Sequence, residues 1–132
     1  MKGSDIVREE MYDVLLDSSR MDLKNGEIMM QSEMYYYAVA FFVQGIKKML
    51  NSAYLHIKNK KLDYECENDL LLDEMDFLPE EVKEGIKLIF DSFKKIDSNS
   101  DIEILKSLSI DINRRTKSIC VIIEDIIMGR KV

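Results

Sequence analysis

The chain has 132 residues, a length that suits one domain able to bury roughly two thirds of the surface its unfolded form exposes. Hydrophobic residues make up 46% and charged residues 33%, which excludes a disordered chain. The formal net charge of −6 excludes a general nucleic-acid coat, because sequence-independent phosphate binding rests on a surplus of lysine and arginine.

One proline and five glycines leave few helix breakers, so the expected class is all-α. Residues 1–13 turn acidic at once with no apolar stretch behind the lysine, unlike a signal peptide. Helix one is expected from about Asp5 to about Met30, since Val7, Met11, Val14, Met21 and Ile28 share one face, with Leu15 beside them and Ser18 and Asn25 interrupting the stripe.

Helix two is expected from about Ser32 to Ile57. Tyr35, Val39, Phe42, Ile46, Met49 and Ala53 form its seam, and Ala38, Gly45 and Ser52 make a stripe of small residues that lets another helix approach closely. The run MYYYAVAFFV is half the length a membrane span needs and is closed by Gln44, Gly45, Lys47 and Lys48, so no membrane is expected and the cytoplasm is the expected location.

Residues 58–78 break the pattern, leaving room for a short extra helix over Asp69 to Met75 capped by Asn68. Helix three starts at Pro79, with Glu80 and Glu81 at the positive end of the dipole. Its seam is Val82, Ile86, Ile89, Phe93 and Ile96, and it ends near Lys95. Ser100 and Glu103 have the spacing of a capping box for helix four, whose seam is Leu105, Leu108, Ile112, Ile119, Ile122 and Ile126 and whose stop is Gly129. The isoleucine-rich run at 120–127 reads as helix because that seam is continuous, although a break around Ser107 to Asp111 is compatible with it. Four amphipathic helices joined by mostly short connections predict a single domain over residues 1–132, folded as an antiparallel up-and-down four-helix bundle.

Cys66 and Cys120 match no zinc or redox spacing and read as free thiols in a reducing compartment. His56 is the single histidine, too few for paired Glu-x-x-His motifs, so no metal and no cofactor are expected.

Helices one and two resemble the HEPN family of helical, nucleotide-associated domains. Asp22 and Leu23 match its Asp-Leu pair, Ala38 its alanine, and Gln44, Lys48 and Leu50 its Gln-Ala-x-Glu-Lys-x-Leu-Lys-Ala run. Asn68, within ENDLLLDEM, stands where the family often has histidine, and DFLPEEV at 76–82 is similar to the entry to its third helix. Lys47, Asn51 and Val43 depart from the pattern. The resemblance implies a helical binding module, a homodimer and, in prokaryotic toxin–antitoxin settings, a nucleotidyltransferase-type partner, with a nucleotide or RNA as ligand. The family's nucleases carry an arginine followed by a histidine after four to six residues. Here Arg115 is followed by Cys120, and a protonated thiol does not replace imidazole, so no catalytic residue is assigned. The alternatives are a ribonuclease toxin with a degenerate site and a plain helical adaptor.

Lys48, Arg114, Arg115, Lys117 and His56 are the candidate ligand-binding residues. Arg115 falls where the helix-four seam calls for an apolar side chain, so it either pairs with an acidic residue of another helix, snorkels to water, or binds a phosphate with Arg114 or Lys117. His56 reads as a partly buried structural histidine in preference to a catalytic one. Lys47, Lys48, Lys58, Lys60 and Lys61 form a basic cluster that suits the end of helix two. Consecutive helix positions point about 100° apart. Tyr35, Tyr36 and Tyr37 therefore cannot share one core, and Tyr36, Tyr37 and Phe41 are the candidate interface residues. The methionines read as packing filler.

Overall fold

The computed structural model describes residues 3–58 and 68–129, with side chains placed over 14–58 and 71–129. Regular structure among them is all helical: α1 (Gly3–Gln31), α2 (Tyr35–Lys58), α3 (Asn68–Asp73), α4 (Glu80–Lys94) and α5 (Ile102–Ile127). None of these helices is long and apolar enough to cross a membrane.

The apolar positions of α2 run most of the way round it, and a helix of that kind needs neighbours on several sides. It has them: α1 packs along it most extensively, α5 next, and α4 over a shorter stretch. All six residues of its expected seam are buried. The small-residue stripe is buried as well, and at Gly45 it does what its spacing predicts. A Cβ there would stand 2.6 Å from Cδ2 of Leu23, and the Ser19 hydroxyl donates to the Gly45 carbonyl at 2.6 Å. Gly26 makes the reciprocal approach from α1, where a Cβ would stand 2.5 Å from the Phe42 ring.

Those contacts overturn the expected face of α1. Leu16, Ser19 and Gly26 turn inward, with Leu23 and Met30 partly buried beside them. Val14, Met21 and Ile28, expected in the core, are 66%, 61% and 46% exposed. The physical reason is that α1 meets α2 through Ser19 and Gly26 as well as Leu16, Leu23 and Met30, so small residues interrupt the hydrophobic signal of its inner face. The side chains of Val7 and Met11 lie outside the described residues.

The α1–α2 turn places Glu33 at φ 61°, and the Met34 N–H returns to the Met29 carbonyl at 2.8 Å, closing the end of α1. α3 falls at the expected extra-helix position but includes Asn68 and ends at Asp73, and Leu71, Leu72 and, beyond the helix, Met75 carry that segment into the core. In α4, Val82, Ile86 and Ile89 are buried as expected, Phe90 joins them, and Phe93 and, just past the helix, Ile96 are half-buried.

α5 begins after Asp101, whose carboxylate accepts from the N–H groups of Glu103 and Ile104 at 2.8 and 3.4 Å. The cap is thus Asp101 and not Ser100, whose hydroxyl instead accepts from the Asp97 N–H. The helix is continuous through residues 107–111 and through the isoleucine-rich run, and Gly129 follows it at φ 71°. Its buried face is Leu105, Ser109, Ile112, Thr116, Ile119, Cys120, Ile123 and Ile127. Leu108, Ile122 and Ile126, expected on the seam, are half-buried beside it, because Ser109 and Thr116 take core positions that a hydrophobic pattern passes over.

Candidate functional site

α5 separates two grooves. Toward α4 lies a depression of about 440 Å³ lined by Glu81, Val82 and Gly85 from one side and Arg114, Arg115, Ser118, Ile119 and Ile122 from the other. Toward α1 lies one of about 500 Å³, floored by Phe42, Thr116 and Cys120 and rimmed by Arg20, Lys24, Glu27, Lys117 and Glu124. Their volumes fall in the range of small-molecule sites.

Asp111, which lies outside the lining of the α4 groove, holds both arginines that line it. Nη2 of Arg114 donates to its Oδ1 at 2.6 Å, and Nε of Arg115 donates to Oδ2 at 2.9 Å. The hydrogen bond from Arg115 holds the Asp111 carboxyl below its usual range, against the opposing effect of its desolvation, and Arg114 adds to the lowering. A guanidinium has five N–H donors, so each arginine keeps most of its donors for a ligand. Arg115 therefore finds its acidic partner on its own helix, one turn back, while the core position beside it belongs to Thr116.

Cys120 lies five positions after Arg115 and faces the α1 groove, on the other side of α5. Its thiol is buried and pushed up to about 12, first by desolvation and then by the Glu124 carboxylate. The two residues that the nuclease comparison pairs are thus lodged in different grooves. Cys66 lies outside the described residues.

The other candidate cations are dispersed. Lys117 reaches Glu27 of α1 at 3.1 Å, and Arg20 reaches Glu124 at 3.1 Å, so two ion pairs bridge the α1–α5 groove. Lys48 sits between α1 and α2, where its ammonium lies 2.7 Å from Oδ2 of Asp22 and donates to Ser18 Oγ at 2.8 Å. The Asp22 contact is an ion pair by distance, without the direction of a hydrogen bond. Asp22 and Lys48 thereby meet across the α1–α2 interface.

His56 is exposed near the end of α2, in place of the partly buried position expected. Lys58 pairs with Asp76 at 2.8 Å, and the Lys47 ammonium stands 5.7 Å from the Phe90 ring centre, so the described members of the basic cluster point to separate partners. Lys60 and Lys61 lie outside the described residues. Burial and the nearby Lys94 lower the Lys47 pKa.

Tyr36 stacks on Phe93 with ring centres 5.7 Å apart and meets Tyr37 edge-on at 5.5 Å. Phe41 is half-buried, and Tyr37 is 50% exposed. The wide apolar arc of α2 is thus largely covered within the chain, and the exposed apolar side chains of α1 are the ones sequence reasoning missed. Among the described residues no cluster of histidine, cysteine and acidic side chains is arranged to hold a metal ion.

Comparison of the chain with known protein families, curated proteins and solved structures found no significant match.

Proposed function

We propose that this chain is a HEPN-like helical binding module with no catalytic centre of its own. Its four longer helices form an antiparallel up-and-down bundle, and the α4–α5 groove takes a phosphate-bearing ligand such as a nucleotide on Arg114 and Arg115. The observation that carries the reading is the Asp111 fork, which orients two guanidinium groups at one groove with a single carboxylate between them. The fork keeps one positive charge in excess, and planar N–H donors suit phosphate oxygens. Glu81 on the opposite wall would accept from ligand hydroxyls. The buried, protonated Cys120 thiol in the other groove supports binding in preference to cleavage.

A thermal-shift series with ATP and inorganic phosphate tests this. A ligand at 100 times its Kd adds about 2.7 kcal/mol of stability. Stabilisation by ATP that Arg115→Ala abolishes is the expected result, and a melting temperature unmoved by either compound sinks the reading in favour of a plain adaptor. Cleavage of labelled RNA that disappears in Arg115→Ala would establish the ribonuclease alternative.

A second reading, association through the surface as a homodimer or with a nucleotidyltransferase-type partner, is favoured by the exposed apolar residues of α1. Light scattering distinguishes self-association from the monomer.

A further inference from the structure

The outward face of α1 carries a pattern that the monomer does not use. Val14, Met21 and Ile28 recur every seven residues on the side opposite the α2 contact, and all three are exposed, Ile28 the least. A partner helix meets apolar residues every 3.5 residues on average, so this stripe supplies one of the two seam positions in each heptad and the other falls to polar residues. The polar residues beside the stripe say which helix fits. With about 100° per residue, Asp17 and Lys24 both fall on one flank of it, about 40° and about 60° away, while Ser18 and Asn25 fall on the other.

We propose that α1 is the dimer surface of this protein and that the partner is a second copy of the same helix, antiparallel, with the two-fold axis at Met21. This rests on the homodimer reading above and names its interface. A two-fold axis demands self-complementarity, so that residue i meets j and j meets i. About Met21 the pattern meets that demand. Val14 faces Ile28 of the other copy, and Met21 faces Met21. Asp17 is four residues before the axis and Lys24 three after it, on the same flank, so each Asp17 comes level with the opposing Lys24. Two opposite-charge pairs form on one side, and the uncharged Ser18 and Asn25 line the other. In a parallel, in-register pair each flank would meet the opposite flank of the partner, so Asp17 and Lys24 would face the uncharged Ser18 and Asn25 and the two opposite-charge pairs would be lost, which favours the antiparallel arrangement. Both groups are accessible for the purpose. The Asp17 side chain is 77% exposed and makes a loose 3.6 Å contact with Arg20 of its own helix, and Lys24 is exposed.

Sedimentation equilibrium on the full chain tests the proposal, using substitutions at exposed positions so that folding is spared. The wild type is expected to be a dimer. Met21→Glu is expected to weaken dimerisation by about tenfold or more, with an unchanged helical circular dichroism spectrum, because it sets two carboxylates together on the axis. Asp17→Lys alone is expected to weaken it, and the charge-swapped pair Asp17→Lys with Lys24→Asp to restore it. A wild-type monomer at high micromolar concentration overturns the homodimer reading and this surface with it. A dimer that Met21→Glu leaves intact, but Tyr37→Glu disrupts, overturns the α1 surface alone. Failure of the charge swap to restore a dimer that Met21→Glu breaks overturns the antiparallel register.

Discussion

Gly45 and Gly85 are both helical glycines, yet a methyl group added at each meets a different neighbour. At Gly45 it would lie 2.6 and 2.8 Å from two atoms of Leu23 and 3.2 Å from the Ser19 backbone oxygen, whereas at Gly85 the nearest atom is Ile119 Cδ1 at 3.6 Å, an ordinary contact. Alanine in place of a helical glycine gains about 0.5–1 kcal/mol, and overpacking costs about 1–3 kcal/mol. Thermal denaturation should therefore find Gly45→Ala destabilised by about 1–2 kcal/mol and Gly85→Ala stabilised by about 0.5 kcal/mol or more. A stable Gly45→Ala protein would show that α1 and α2 are not in such close contact. Asp111 gives a pH dependence of definite sign. Its folded-state pKa is depressed, chiefly by the Arg115 hydrogen bond, so its contribution is present above the ordinary carboxylate pKa and is lost as pH falls through the lowered value. Both arginines are substantially exposed and the carboxylate is about a third exposed, which keeps the contribution small. Asp111→Asn should lower stability at pH 7 by about 0.3–1 kcal/mol and leave a flatter acid limb in chemical denaturation measured from pH 6 to pH 2.

The helices differ in how far their packing can be read from their letters. The buried face of α2 is legible because large apolar residues mark it without interruption. The buried face of α1 is not, since Ser19 and Gly26 carry no hydrophobic signal and the regular stripe of Val14, Met21 and Ile28 points outward. α5 shows the same effect more mildly, with Ser109 and Thr116 in the core and Leu108 and Ile122 at its margin. That rotation also explains the candidate site. Arg115 looks like a charge on the core seam, but the seam passes through Thr116. The sorting of Arg115, Lys117 and Cys120 into two grooves depends on offsets of one or two positions around the helix, with neighbours that the sequence does not name. Helix ends are legible only by residue type: Ser100 and Asp101 both suit a cap, and geometry selects Asp101. Asp101→Ala should accordingly cost about 0.5–2 kcal/mol in urea unfolding, and Ser100→Ala clearly less. Equal losses would mean that the two residues share the cap.

At the scale of the molecule, α2 holds three neighbours by packing, while α1 and α5 touch along a short seam. Across that seam run the Arg20–Glu124 and Lys117–Glu27 pairs, with the Cys120 thiol lining the groove beneath. Exposed pairs of this kind weaken as ionic strength rises, because the screening length falls from about 10 Å at 0.1 M to about 3 Å at 1 M salt. In a Cys66→Ser background, iodoacetamide at pH 8 should modify Cys120 slowly, and a change from dilute buffer to 1 M sodium chloride should quicken it severalfold with no loss of helix. A rate indifferent to salt would mean that the ion pairs do not govern access. Among the described residues the α1–α5 edge is thus sewn with charge, whereas α2 meets its neighbours mainly through hydrocarbon. Brine, which tightens an oily joint, would loosen the stitched side, and the interior atom uncovered there would be a sulfur.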